Sequence, residues 1–188
     1  MNQLEILLQY LSLGFTHVIP YGYDHLLFIV SIIISSPKLK KGLLLCTIFT
    51  ISHSISLGFA ASGLIIANPA IIEPLIAISI LLSAISNLFQ NKHIHKEIIL
   101  FVFGLIHGLG FANALKEVGL NQDNFLISLF SFNIGVELAQ IAIVLIIYFT
   151  ILKWFSHQDW YERKFLFPVS SLIGCFAMYW TIDRILNF

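Results

Sequence analysis

The chain has 188 residues, of which 58% are hydrophobic and only 11% are charged, and its formal net charge is zero. Soluble domains carry about 25% charged residues, so this chain has too few charges to cover a water-soluble surface. The absence of net positive charge argues against a nucleic-acid-binding protein, and the 17 Phe residues argue against an intrinsically disordered one. A mean hydropathy of +0.90 instead predicts an integral membrane protein, with residues 1–188 forming one domain in the lipid bilayer.

Six apolar runs meet or approach the roughly 20 residues that a membrane-spanning helix needs. The runs are continuous and do not alternate as barrel strands do, which predicts an all-α bundle of transmembrane helices. In chain order they are residues 21–36, 42–66, 70–90, 97–115, 125–153 and 164–185.

A further apolar segment, Gln3–Val18, precedes the first run, and Pro20 and Gly22 interrupt the pattern between them. Proline and glycine at such a junction favour a break in a helix. We therefore expect Gln3–Val18 to form either an interfacial helix or a seventh span.

Basic residues are concentrated in alternate connections between the predicted spans. Those on one side are Lys38, Lys40, Lys41, Lys92, Lys96, Lys153, Arg163 and Lys164. The other side has only Lys116 in a loop and Arg184 near the C-terminus. Because loops rich in Lys and Arg stay in the cytoplasm, this asymmetry predicts that both termini are extracytoplasmic.

Several of the apolar runs contain an ionisable side chain, which is costly in lipid and indicates a functional site. The candidate metal ligands are His17, Asp24, His25, His53 and His107. Their estimated depths, at about 1.5 Å per residue, centre the group in the outer half of the bilayer, with His53 near mid-membrane. Three or four imidazoles with one carboxylate suit a divalent transition metal such as Zn or Ni. We expect one intramembrane metal site that opens to the extracytoplasmic side.

Other polar side chains in the runs are candidates for supporting this site. They are Glu73, Asn87, Asn133 and Gln140, which are expected to orient the imidazoles through hydrogen bonds. Glu137 shares a helical stripe with Asn133 and Gln140, because the three lie at i, i+4 and i+7. His17, Asp24 and His25 would also share a stripe if the chain remained helical through Pro20.

His93 and His95 form a separate His-x-His pattern in a loop that also carries lysines. The pattern is typical of a solvated loop, and a weak cytoplasmic metal-handling site is the alternative.

Five motifs resemble those of the HupE/UreJ family. They comprise residues 14–17 with 22–28, then 49–54, 73–79, 103–112 and 132–140. The spacing His17-x6-Asp24-His25 and the single His107 are closest to a second branch of that family, whose members have no settled substrate. The resemblance implies a small polytopic protein of the bacterial inner membrane. The best-known members are hydrogenase and urease accessory proteins regarded as nickel permeases.

Three functions are compatible with these residues. In the first, the protein is a permease or accessory protein for a divalent metal of nickel type, although few polar residues lie below His53 to line an inward path. In the second, it is an intramembrane zinc-dependent hydrolase or transferase acting on a lipid-embedded substrate. Asp24 or Glu137 would then act as general acid–base and Ser54 as a candidate nucleophile. In the third, the polar cluster only fixes how the helices pack.

Overall fold

The computed structural model describes residues 2–89, 96–117 and 124–187, and for residues 113–117 it describes the backbone only. Across these ranges the chain is 88% helical and has no strand, which confirms the predicted all-α bundle. The helices are α1 Gln3–Val18, α2 Tyr23–Ser35, α3 Leu39–Ala61, α4 Pro69–Phe89, α5 Lys96–Glu117, α6 Phe125–Phe155 and α7 Glu162–Leu186.

Within the described residues, four helices are each long and apolar enough to cross a membrane, namely α3, α4, α6 and α7. The helices α1 and α2 pass the same test as a pair, bent by 67° at the break between them. The 22 residues of α5 would extend about 33 Å, which is also a bilayer-crossing length. These lengths support an integral membrane protein.

The helix formed by the second apolar run ends before the run itself does. Residues up to 66 are apolar, yet α3 ends at Ala61. Gly63 has a φ of +82°, a left-handed conformation that stops a helix and that glycine adopts without steric cost. Hydropathy continues across this stop because Leu64, Ile65 and Ile66 are apolar but lie outside the helix.

Two helix pairs approach so closely that only glycine fits between them. On α5, a side chain at Gly104 would collide with the Phe49 carbonyl of α3, and one at Gly108 with the His53 carbonyl. The Gly104/Gly108 step therefore packs α5 directly on the α3 backbone, as small-xxx-small steps do in membranes. In the same way, Gly14 of α1 faces the Phe132 carbonyl of α6.

The outer surface of the bundle is apolar, as a lipid-facing surface should be. Large hydrophobic side chains such as Leu126, Phe130 and Leu172 are exposed along the helices. The buried interior contains polar side chains as well, including His25, His53 and Gln140. This arrangement, apolar outside and partly polar inside, is the opposite of a soluble globule and fits a protein with an intramembrane site.

Candidate functional site

Four imidazole rings from four different helices lie close together inside the bundle. The ring centre of His25 on α2 is 4.7 Å from that of His17 on α1, 5.4 Å from His107 on α5 and 5.7 Å from His53 on α3. The centres of His17 and His53 are 6.4 Å apart. We call these four residues the histidine cluster.

The bend between α1 and α2 brings the first two of these histidines together. His17 lies in the last turn of α1 and His25 in the first turn of α2. Gly22 contacts the His17 carbonyl so closely that a side chain there would collide with it. The chain therefore does not stay helical through Pro20, and the expected continuous stripe is replaced by a fold-back that places His17 over His25.

The close packing of α5 on α3 brings the other two together. His107 lies between the two glycines that contact α3, and Gly108 touches the backbone of His53 itself. The local sequence explains this placement, because Gly104 and Gly108 lie one turn apart on α5 and allow it to approach α3 closely beside His107.

The nitrogen atoms of the cluster are buried and largely without partners. His53 is 0% exposed and His107 only 2%. The unpartnered atoms are Nε2 of His17, Nε2 of His25, both ring nitrogens of His53 and Nε2 of His107. Leaving a buried polar group unsatisfied costs about 1–3 kcal/mol. These nitrogens are the atoms of the cluster that are available to a ligand.

One hydrogen bond determines which nitrogen of His107 is available. Its Nδ1 lies 2.8 Å from the Phe103 carbonyl oxygen, and since a carbonyl only accepts, Nδ1–H is the donor. The neutral imidazole then has its lone pair on Nε2, which is the atom a metal would coordinate. The backbone thus fixes the orientation of the His107 ring and leaves Nε2 without a partner.

The donor set fits a transition metal in chemical type, but its present geometry is not that of a bound metal. Among the described residues, no group of three or more His, Cys, Asp or Glu is arranged to hold an ion. Coordination requires nitrogen atoms about 2.0–2.1 Å from a common zinc ion. The imidazole rings would have to turn their nitrogen atoms toward a common point to reach that distance.

A cavity of about 450 Å³ leads from one end of the bundle to the histidine cluster. Its lining includes His17, His25 and His107 together with Asp24 and Arg184. This end lies opposite the Lys38–Lys41 connection, and we call it the cavity end and the other the lysine-rich end.

Arg184, in the last turn of α7, spans the cavity. Its Nη2 donates to both carboxylate oxygens of Asp24, at 3.0 and 3.2 Å, and its Nη1 donates to the backbone carbonyl of Glu73 at 3.1 Å. The guanidinium also lies 5.6 Å from the Trp180 ring centre. Arg184 is not among the site residues that the sequence predicts. The sequence signal that could have identified it is its position, because Arg184 is a basic residue near the end of an apolar run, on the side of the membrane that has few basic residues.

The residues predicted to support the cluster occupy three separate places. Glu73 borders the cavity, while Asn87 donates to the Ser31 carbonyl and to the Ser170 hydroxyl, so it joins α2, α4 and α7. The Asn133 amide donates to the Leu129 carbonyl of its own helix and leaves Oδ1 unpartnered.

The remaining predicted residues lie along the contact between α3 and α6. Glu137 accepts a hydrogen bond from the Thr47 hydroxyl at 2.7 Å, and Gln140 accepts one from Thr50 at 3.3 Å. The Ser54 hydroxyl donates to the Thr50 carbonyl at 2.6 Å, so it bonds to its own helix. His93 and His95 lie outside the described residues.

A family model described as HupE / UreJ protein matches residues 2–184, nearly the whole chain. No curated protein and no solved structure matches this chain.

Proposed function

The chain belongs to the HupE/UreJ family, and we propose that it is a membrane permease for a divalent transition-metal ion of the nickel or zinc type. The observation that supports this most directly is the histidine cluster, in which five of the eight ring nitrogens are buried and have no hydrogen-bond partner. Imidazole nitrogens are suitable ligands for divalent transition-metal ions such as nickel and zinc.

The cavity supplies an entrance for such an ion. Its wall carries the Asp24 and Glu73 carboxylates and one guanidinium, that of Arg184, so one formal negative charge remains to attract a cation. Its inner part carries imidazoles that would replace the water molecules of the ion. The asymmetry of the loop charges predicts that the cavity end is extracytoplasmic. On this proposal the ion enters from outside the cell and binds between α1, α2, α3 and α5.

Metal binding by the purified protein tests the proposal. We expect Ni²⁺ or Zn²⁺ to bind reversibly in calorimetry and to enter proteoliposomes that contain the protein. The double variant His53→Asn/His107→Asn should lose both binding and uptake, whereas His157→Asn, at an exposed histidine, should keep both. If the double variant binds and transports like the wild type, the cluster is a structural polar core and the proposal is wrong.

A second function, an intramembrane zinc-dependent hydrolase or transferase, is favoured by a lateral groove. A largely apolar cavity of about 570 Å³ lies between α2, α4 and α5. Phe28 and Phe103 line it, and the Phe28 ring centre is 5.3 Å from that of His107. A lipid-embedded substrate in this groove would be separated from the histidine cluster by one aromatic layer.

Metal exchange distinguishes the two functions. A hydrolase should keep about one zinc ion per chain through purification, because its metal is a resident cofactor. A permease must release its ion, so bound metal should exchange with added isotope during transport. Tight, non-exchanging zinc together with no uptake would favour the enzyme.

A further inference from the structure

A second group of unsatisfied polar atoms lies between α3 and α6, apart from the histidine cluster. Glu137 uses Oε1 to accept from Thr47, while its Oε2 is buried and has no partner. Gln140, one turn further along α6, is 0% exposed, and its Nε2 is also unpartnered. Both side chains therefore have unused hydrogen-bonding capacity at the same contact between two helices.

Two helices independently place this group deeper than the histidines. Along α3, Thr47 lies six residues from His53 toward the lysine-rich end, which is about 9 Å. Along α6, Phe132 packs against the His17 ring, and Glu137 lies five residues further in the same direction, about 7.5 Å. The carboxylate is thus about one and a half helical turns below the histidine cluster.

The carboxylate at this depth lacks a cationic partner. The ion pairs formed within the described part of the chain are Lys41–Glu97 and Asp24–Arg184, and neither involves Glu137. A carboxylate in the hydrocarbon region is costly unless it is neutralised by a proton or a cation, so its presence indicates a functional role. The hydrogen bond from Thr47 satisfies only one of its two oxygens.

We propose that Glu137 and Thr47, with the Gln140 side chain beside them, form an inner cation station that receives the divalent ion from the histidine cluster. This inference rests on the proposed permease function. Passage through a membrane requires several sites, each weak enough for the ion to leave. Carboxylate, hydroxyl and amide oxygens bind nickel or zinc more weakly than imidazole nitrogens do, so an ion can leave this station more readily.

The station also supplies polar steps on the inward side of the cluster. The sequence contains few polar residues below His53, which argues against a permease. The structure pairs Thr50 with Gln140 and Thr47 with Glu137, so successive turns of the contact between α3 and α6 each carry oxygen atoms. These turns connect the histidine cluster to the lysine-rich half of the bundle.

Binding of Mn²⁺ tests the station without relying on transport, because Mn²⁺ prefers oxygen ligands. In purified His53→Asn/His107→Asn protein, Mn²⁺ should still bind, as followed by electron paramagnetic resonance. Adding Glu137→Gln should weaken this binding by about tenfold or more, the size expected for losing a metal-site carboxylate. Glu162→Gln, which removes an exposed carboxylate, is the matched control and should have no effect.

A second measurement on the otherwise intact chain covers the case in which the triple variant does not fold. Glu137→Gln alone should leave Ni²⁺ affinity at the histidine cluster unchanged but slow uptake by about tenfold or more. If Glu137→Gln changes neither Mn²⁺ binding nor uptake, the Glu137–Thr47 pair only joins two helices and the inference is wrong. If Mn²⁺ binding depends on Glu137 while the wild type shows no uptake, the station is real and the permease proposal fails.

Discussion

Replacing Arg184 should strengthen metal binding at the histidine cluster, because Arg184 occupies the carboxylate that a metal would use. Asp24 was predicted from the sequence as a ligand, yet both of its oxygens accept hydrogen bonds from Arg184. For Asp24 to coordinate an ion, at least one of these bonds must break. The guanidinium also repels an incoming dication from the cavity that both must share. Arg184→Gln removes both obstacles and keeps a polar side chain at the position.

The size of the expected gain in metal affinity follows from the partial exposure of the Arg184–Asp24 ion pair. The side chains of Arg184 and Asp24 are 20% and 24% exposed, so water weakens their attraction. Exposed ion pairs contribute about 0.2–1 kcal/mol, and a bidentate geometry lies at the upper end of that range. In Arg184→Gln the metal no longer has to break an ion pair worth about 1 kcal/mol. This corresponds to an affinity gain of about fivefold, since 1.4 kcal/mol is a factor of ten.

Isothermal titration of Ni²⁺ into the Arg184→Gln protein measures this gain, with Arg163→Gln at the opposite end as the matched control. If the gain arises from Asp24, the double variant Asp24→Asn/Arg184→Gln should lose it, as in a double-mutant cycle. Weaker binding by Arg184→Gln would refute the reasoning, because it would mean that Arg184 holds Asp24 in position for the metal. Equal affinity would mean that Asp24 is not a ligand.

Two further predictions concern topology and packing. A reporter fused after Lys92 should be cytoplasmic and one fused after Glu117 extracytoplasmic, since the loop charges place these connections on opposite sides of the membrane; the same side for both would contradict the six-span interpretation. Gly108→Ala should destabilise the bundle by about 1–3 kcal/mol in a reversible unfolding assay, because the added methyl group collides with the His53 carbonyl. Gly174→Ala is the control, since a side chain there meets Ala84 at an ordinary 3.7 Å, and equal loss in both variants would rule out close packing as the cause.

Much of the fold could be predicted from the sequence because lipid imposes a simple requirement. Each helix that crosses the membrane must be apolar over about 20 residues, so hydropathy alone located the helices. It could not locate the end of α3, where Gly63 changes the backbone conformation inside an apolar run. Hydropathy measures side-chain transfer and contains no information about φ.

The site was partly predictable for a related reason. Histidines in apolar runs are costly, so the cost argument selected all four rings that the structure brings together. The same argument could not identify the partner of Asp24, because Arg184 is 160 residues away in the chain.

Asn87 is a residue that the sequence pattern assigned to the site although it lies far from it. It shares a side of α4 with Glu73, but the 14 residues between them correspond to about 21 Å along the helix. A shared helical face therefore does not imply a shared site.

The bent pair α1–α2 determines how an ion could join the helices at the histidine cluster. His17 lies on α1, which packs chiefly on α6, and His25 lies on α2, which packs on both α4 and α6. Their ring centres are 4.7 Å apart, which is close to the separation of two imidazoles on one tetrahedral ion with Zn–N bonds of about 2.0–2.1 Å. On the permease proposal, rotation of the rings would therefore be enough for both histidines to bind the ion, and the helices would not have to move. The Glu137–Thr47 pair between α6 and α3 would then keep its geometry when the outer site fills. Transfer between the two sites would depend on each site being weak enough for the ion to leave, rather than on a helix movement.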